Sequence, residues 1–186
     1  MYSTNCILKY DAILALPKHD EHGNLFTVII GTNGPVEVEL GPTALIDFNL
    51  RYYGSSLQGA RDGARFILGE GKMYPIVMNE RLDLYWLPSK SPSQEDCIWF
   101  ALHHIDGYIG IGKKETRVRF SNGSTIIVEM SEYVFDNKVQ KAYKLKGQTE
   151  RRTKENLWRV SESAGHYHIA KKDNAINYEV TAQYKR

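Results

Sequence analysis

The chain has 186 residues, 42% hydrophobic and 25% charged, which is enough to bury a core and is typical of a globular protein. No apolar run approaches the roughly 18 residues that a membrane-spanning helix needs, and two distant cysteines, Cys6 and Cys97, favour a reducing cytoplasm over a disulfide framework. The net charge is only +2, yet residues 1–110 hold 8 lysines and arginines against 13 aspartates and glutamates, while residues 111–186 hold 16 against 9.

The N-terminal third is typical of an antiparallel meander. Residues 13–16 and 25–30 are apolar runs, and residues 36–40 alternate apolar and acidic side chains, which predicts three strands. A turn signal at 22–24 separates the first two strands. The hairpin signal at 32–34 separates the second from the third.

Two short helices are predicted next. Pro42 is suited to the first turn of a helix that ends near Tyr53, and Gly54 interrupts it. Ser55 or Ser56 could cap a second helix, although two glycines in its interior each cost about 1 kcal/mol relative to alanine.

The middle of the chain is predicted to form mainly strands. We expect two strands within residues 75–87, a long apolar strand over 97–105 and a glycine-rich turn over 107–113. Alternation over 117–120, a turn at 121–124 and the run 125–129 predict a hairpin.

A third helix and an extension complete the chain. Ser131 is a plausible N-cap, and the helix is expected to run to about Lys146, with Gly147 as its stop signal. The polar, basic stretch 148–154 is typical of a linker. Residues 176–184 predict a further strand, or the tail is mobile. The predicted organisation is therefore an α+β domain over 1–147, with antiparallel sheet and two or three helices, followed by an extension over 148–186.

Catalytic and metal-binding patterns are weak. His103 and His104 would point to opposite faces of a strand and so could not share one ligand sphere, which favours neutral, hydrogen-bonded histidines over a zinc site. The glycines of 107–113 lack the spacing of a phosphate loop, and the carboxylates form no acid/base pair. We therefore expect neither an enzyme nor a bound cofactor.

Clustered cations are the more informative feature, since they supply the sequence-independent attraction that nucleic acids require. A solvated lysine-rich surface is the alternative interpretation. Asp62 lies beside two of these cations and suggests that at least one is paired internally. The first candidates for DNA contact are Arg117, Arg119, Lys138, Lys141 and Lys144, and the others are Arg51, Arg61, Arg65, Lys113 and Lys114.

Three collinear segments together resemble the ComK family of bacterial competence transcription factors, over roughly residues 10–147. The first is Arg51-Tyr52-Tyr53-Gly54-Ser55-Ser56 with Gly59 downstream. The second is Pro75-Ile76-Val77-Met78 leading to Leu87-Pro88, then Ser91-Pro92 and Cys97-Ile98-Trp99. The third is Val118-Arg119-Phe120-Ser121-Asn122-Gly123 with Ser131, Tyr133, Asn137, Val139 and Gln140.

The resemblance implies a cytoplasmic activator of competence genes that binds double-stranded DNA. Members of the family recognise paired A/T-rich boxes through the minor groove, bend the DNA and act as multimers, so a homo-oligomer, dimeric or larger on DNA, is expected. The residues after Gly147 do not resemble the family's C-terminal region, and control by an adaptor and protease is therefore not carried over. A protein- or RNA-binding module using the same basic surface is the alternative.

Overall fold

The computed structural model describes residues 7–158, 165–171 and 178–184. Backbone contacts divide the chain into two compact units, with the boundary between Arg151 and Arg152. Helices and antiparallel strands both contribute to the fold, which confirms the predicted α+β class. In the part of the chain that is described, no helix is long and apolar enough to span a membrane.

A six-stranded antiparallel sheet forms the centre of the first unit, with the strand order β3-β2-β1-β6-β5-β4. Its strands are β1 (Ala12–His19), β2 (Leu25–Gly31), β3 (Gly34–Val38), β4 (Ile76–Asn79), β5 (Leu84–Pro88) and β6 (Trp99–Ala101). The predicted meander and the strand pair of 75–87 are confirmed. The β2–β3 turn needs Gly34, whose φ of +104° is unfavourable for other residues.

Two helices cover one face of this sheet. Helix α1 (Pro42–Tyr52) has Pro42 at its first position, and the chain leaves it through Gly54, with a φ of +88°. Helix α2 (Leu57–Leu68) is capped by Ser56, whose Oγ accepts from the Gly59 N–H at 3.1 Å. These predictions are confirmed. Apolar residues of α1, including Leu45, pack with Trp86 and Trp99 of the sheet.

The chain then changes sheets, and here two predictions are wrong. The expected strand over 97–105 is broken after β6 by a 3-10 turn, Leu102–His104, which carries the chain from the first sheet into the second. The expected turn over 107–113 is largely strand β7 (Ile105–Gly112). Glycine at position 110 of this strand leaves room for the Glu132 side chain, since an added Cβ would lie only 3.0 Å from its carboxylate.

The second sheet has the order β7-β8-β9 and contains the predicted hairpin, β8 (Glu115–Phe120) and β9 (Thr125–Val128). One face of it packs onto a second core, where Phe100 lies between Phe120, with ring centroids 6.3 Å apart, and Phe135, at 5.5 Å. The opposite face is turned away from this core.

Helix α3 (Glu132–Trp158) begins after Ser131, whose Oγ accepts from the Val134 N–H at 3.4 Å, as predicted. The predicted end at Gly147 and the linker over 148–154 are wrong, because the helix continues through both. A glycine costs a helix only about 1 kcal/mol, and here Leu145 is fully buried while the Lys146 ammonium binds Asp83 at 2.5 Å.

The second unit contains an antiparallel pair, β10 (Gly165–Lys171) and β11 (Tyr178–Tyr184). Strand β11 confirms the strand predicted within 176–184, apart from residues 176 and 177, which lie outside the described residues. The division of the chain into a DNA-binding domain and an extension stays a prediction.

Candidate nucleic-acid interface

The exposed face of the β7-β8-β9 sheet carries the two arginines predicted first. Thr116, Val118 and Phe120 of β8 are buried, so Arg117 and Arg119 point to the opposite, solvent side. Strand register places them in two rows. We call this surface the outer face, and its rows are Ile109–Arg117–Ile127 and Gly107–Arg119–Thr125.

Apolar side chains flank the first arginine of the outer face. Ile109 is 60% and Ile127 53% exposed, on either side of Arg117. Beside them lies a shallow depression of about 320 Å³, bordered by Gly107 and Arg119. An added Cβ at Gly107 would lie 3.6 Å from the Arg119 guanidinium, an ordinary van der Waals distance. A surface with accessible cations and exposed apolar groups is suited to a partner that covers it.

The two arginines differ in their electrostatic surroundings. Arg119 Nε donates to Asp106 Oδ2 at 2.8 Å, and both side chains are more than half exposed, so this pair is worth at most about 1 kcal/mol. Arg117 has no ion-pair partner among the described residues. Lys113 and Lys114 are exposed in the turn between β7 and β8 and add positive charge at one end of the sheet.

The lysines of α3 do not join this surface. Lys138 is half-buried, with its ammonium 3.3 Å from the Pro88 carbonyl oxygen and 3.6 Å from a methionine sulfur. Lys141 donates to the Lys72 carbonyl at 3.0 Å and lies 4.2 Å above the Tyr74 ring. Burial lowers the pKa of both ammonium groups. Of the three predicted lysines, only Lys144 is exposed.

The arginines of α1 and α2 form a third group. Arg51 Nε binds Asp47 at 2.8 Å, and the Arg65 guanidinium binds Glu70 at 2.6 Å. Arg65 is therefore paired internally, as expected, but its partner is Glu70 and not Asp62. The Asp62 carboxylate accepts a hydrogen bond from the Gln58 side-chain amide instead. Arg61 is exposed.

The two histidines converge instead of pointing apart, because they lie in the 3-10 turn and not in a strand. His103 and His104 each place Nε2 on the Tyr10 carbonyl oxygen, at 2.8 and 2.7 Å. His104 Nδ1 is 2.6 Å from Ser121 Oγ in the β8–β9 turn. Hydrogen-bonded histidines were predicted, and these anchor the hairpin. Burial lowers the pKa of His103, and the described residues contain no cluster of three metal ligands.

Ile109 and Ile127 were missed by the sequence reasoning. The signal for Ile127 was the alternation of residues 125–128 opposite β8, which assigns it to the face of Arg117. The sequence gives no such signal for Ile109, because the glycines of 107–113 predict a turn and not a strand.

Comparison with known proteins places the chain in a family. The family model described as ComK protein matches residues 3–154. The chain belongs to the ComK family. This confirms the resemblance carried by the three segments, and the match includes the whole outer face while ending inside α3.

One curated relative is similar at the level of sequence. It is the competence transcription factor of Bacillus subtilis (strain 168), 25% identical over 128 residues, which cover 69% of this chain and 67% of the relative. No solved structure matches the chain.

Proposed function

We propose that this protein is a competence transcription factor that binds A/T-rich double-stranded DNA through the minor groove, with the outer face as its contact surface. Family membership and the similar competence transcription factor support the general role. The observation that carries the proposed contact is Arg117, exposed without an ion-pair partner among the described residues and flanked by Ile109 and Ile127.

The arginines suit a narrow minor groove. A-tracts narrow this groove and strengthen its negative potential, which attracts inserted arginine side chains. Because the minor groove distinguishes mainly A·T from G·C pairs, a reader of A/T-rich boxes needs few base-edge hydrogen bonds. Arg117 and Arg119 lie on adjacent rows of one sheet, and we propose that they make two such insertions.

The isoleucines suit a deformed duplex. Proteins that read the minor groove with strands often place apolar side chains against the bases and bend the DNA. Ile109 and Ile127 lie on either side of Arg117 and are both more than half exposed, so they are placed to make such contacts. Binding of this kind would activate transcription by shaping the promoter DNA, with more than one copy bound.

RNA is the less suitable partner for this surface. Single-stranded RNA is usually read by aromatic side chains on which bases stack. The six residues of the outer face include no aromatic side chain, and its exposed apolar groups are isoleucines. We propose no catalytic role.

The experiment is a salt titration of binding by fluorescence anisotropy. It compares a duplex with two A-tracts, a G·C-rich duplex and a structured RNA of equal charge. We expect the A-tract duplex to bind most tightly, with an affinity that falls steeply as salt rises. Equal affinity for the two DNA duplexes would refute specific recognition of A/T-rich DNA. A preference for the RNA would favour the alternative, a protein- or RNA-binding module.

A further inference from the structure

Strand β9 forms an open edge of the second sheet. It pairs with β8 on one side, and no other described strand pairs with it on the other. Its four residues, Thr125, Ile126, Ile127 and Val128, carry no charge. An uncharged edge with accessible backbone groups is a template for pairing with another strand.

The other edges of the two sheets in the first unit are protected, which sets β9 apart among them. Edge strand β3 contains Pro35 and places Glu37 in an ion pair with Lys18. On β7, the outward N–H of Gly110 donates to Glu132 Oε2 at 2.7 Å. At the remaining edge, α2 packs against β4. Native proteins protect edge strands with proline, with charge or with a covering element. The four residues of β9 include neither a proline nor a charged side chain.

Hydrogen bonds in the hairpin determine which backbone groups of β9 point outward. The Phe120 N–H donates to the Ser124 carbonyl at 2.9 Å, so this is a hydrogen-bonded pair. Such pairs alternate along an antiparallel ladder. Ile126 and Val128 therefore direct their backbone groups to β8, whereas Thr125 and Ile127 direct theirs to the open edge.

We propose that two copies of this chain join along β9, antiparallel about a two-fold axis, with Thr125 of each copy opposite Ile127 of the other. Each outward N–H then meets an outward C=O, which gives four hydrogen bonds across the junction. A two-fold interface requires a surface that complements itself, and two identical antiparallel edges meet that condition. The two Ile126 residues face each other on the axis, in a non-hydrogen-bonded pair.

Joining the edges merges two three-stranded sheets into one of six strands with a continuous outer face. The row Ile109–Arg117–Ile127 of one copy continues into Thr125, Arg119 and Gly107 of the second copy. Three strand spacings of about 4.8 Å place Arg117 of one copy about 14 Å from Arg119 of the second along that row. Four arginines then share one surface. This last step rests on the proposed function, whereas the edge pairing does not.

Disulfide trapping tests the register of the junction. An Ile126→Cys variant is made with Cys6→Ser, while Cys97 is kept because it is fully buried. Cα atoms of a non-hydrogen-bonded antiparallel pair lie about 4.5 Å apart, within the range of a disulfide. We expect a covalent dimer on mild oxidation, with or without DNA. Ile109→Cys, made in the same Cys6→Ser background, replaces an exposed isoleucine at the opposite edge and is the matched control. It should form no covalent dimer on oxidation, because its cysteines lie far from the junction.

A second variant tests the hydrogen bonds. Ile127→Pro removes an outward N–H and leaves the β8–β9 ladder intact. Light scattering of the full chain should show a dimer for the wild type and a monomer for this variant, with circular dichroism checking that it folds. If the proline variant does not fold, the comparison of Ile126→Cys with Ile109→Cys alone tests the β9 junction.

The outcomes separate the two proposals. A wild-type monomer at micromolar concentration, without cross-linking through residue 126, overturns the β9 junction even if Arg117→Ala weakens DNA binding. A cross-linked dimer that does not distinguish A-tract from G·C duplexes supports the junction and refutes the proposed function.

Discussion

Replacing Arg117 by alanine is the most informative change to the outer face. Its guanidinium is exposed and has no ion-pair partner in the described part of the chain, so its loss leaves no buried charge and disturbs no core contact. We therefore expect the free energy of unfolding to change by less than about 0.5 kcal/mol. DNA affinity should fall by about 1–3 kcal/mol, or roughly 5- to 150-fold, if the side chain reads the minor groove.

Arg119 provides an internal comparison of magnitude. To reach DNA, its guanidinium must give up Asp106, an exposed pair worth at most about 1 kcal/mol. The Arg119→Ala variant should therefore lose less affinity than Arg117→Ala. Arg81, an exposed arginine in the turn between β4 and β5, is the matched control and should leave affinity within about twofold.

Fluorescence anisotropy at several salt concentrations measures all three variants. A phosphate contact appears as a decrease of about one in the slope of log K against log salt. Equal losses for Arg81→Ala and Arg117→Ala would refute a localised site on the outer face. So would a loss in Arg117→Ala that accompanies unfolding in a thermal melt.

Three further predictions concern the scaffold. Phe135→Ala, which removes a fully buried ring next to Phe100, should cost about 3–5 kcal/mol of unfolding free energy in a denaturant titration, and a cost under 1 kcal/mol would contradict the second core. Gly147→Ala should stabilise the protein by up to about 1 kcal/mol because the helix continues through this exposed site, whereas a stop at Gly147 predicts a loss. Burial lowers the pKa of His103 in the folded state, so the unfolded chain binds the proton more tightly and stability should fall as pH drops below about 6.5. The slope is at most about 1.4 kcal/mol per pH unit, reduced by screening because the ring is only half-buried, and it should disappear in His103→Gln.

The elements that could be predicted from the sequence are those determined by neighbouring residues. The β8–β9 hairpin was predictable because its strands alternate and residues 121–124 form a turn. Helices α1 and α2 were predictable because Pro42, Gly54 and Ser56 each have one favoured position at a helix boundary.

Tertiary contacts decided the features that the sequence did not predict. Gly110 belongs to a strand because its N–H and its open side both meet Glu132, 22 residues away. Helix α3 passes Gly147 because Leu145 is buried against residues of other elements.

In the candidate site, too, the sequence predicted local geometry but not contacts between distant segments. The i,i+2 spacing of Arg117 and Arg119 assigned both to one face of β8, and the structure places them there. The i,i+3 spacing of the α3 lysines could not show that the Lys138 ammonium would reach the Pro88 carbonyl, 50 residues earlier. Which cations stay accessible depends on packing between distant segments.

Inosine substitution tests minor-groove recognition most directly. An I·C pair lacks the guanine 2-amino group, so it resembles A·T in the minor groove and G·C in the major groove. Affinities are measured for three duplexes whose boxes contain A·T, I·C or G·C pairs. If the protein reads the minor groove, the I·C duplex should bind nearly as tightly as the A·T duplex and far more tightly than the G·C duplex. An I·C affinity equal to that of the G·C duplex would contradict minor-groove recognition.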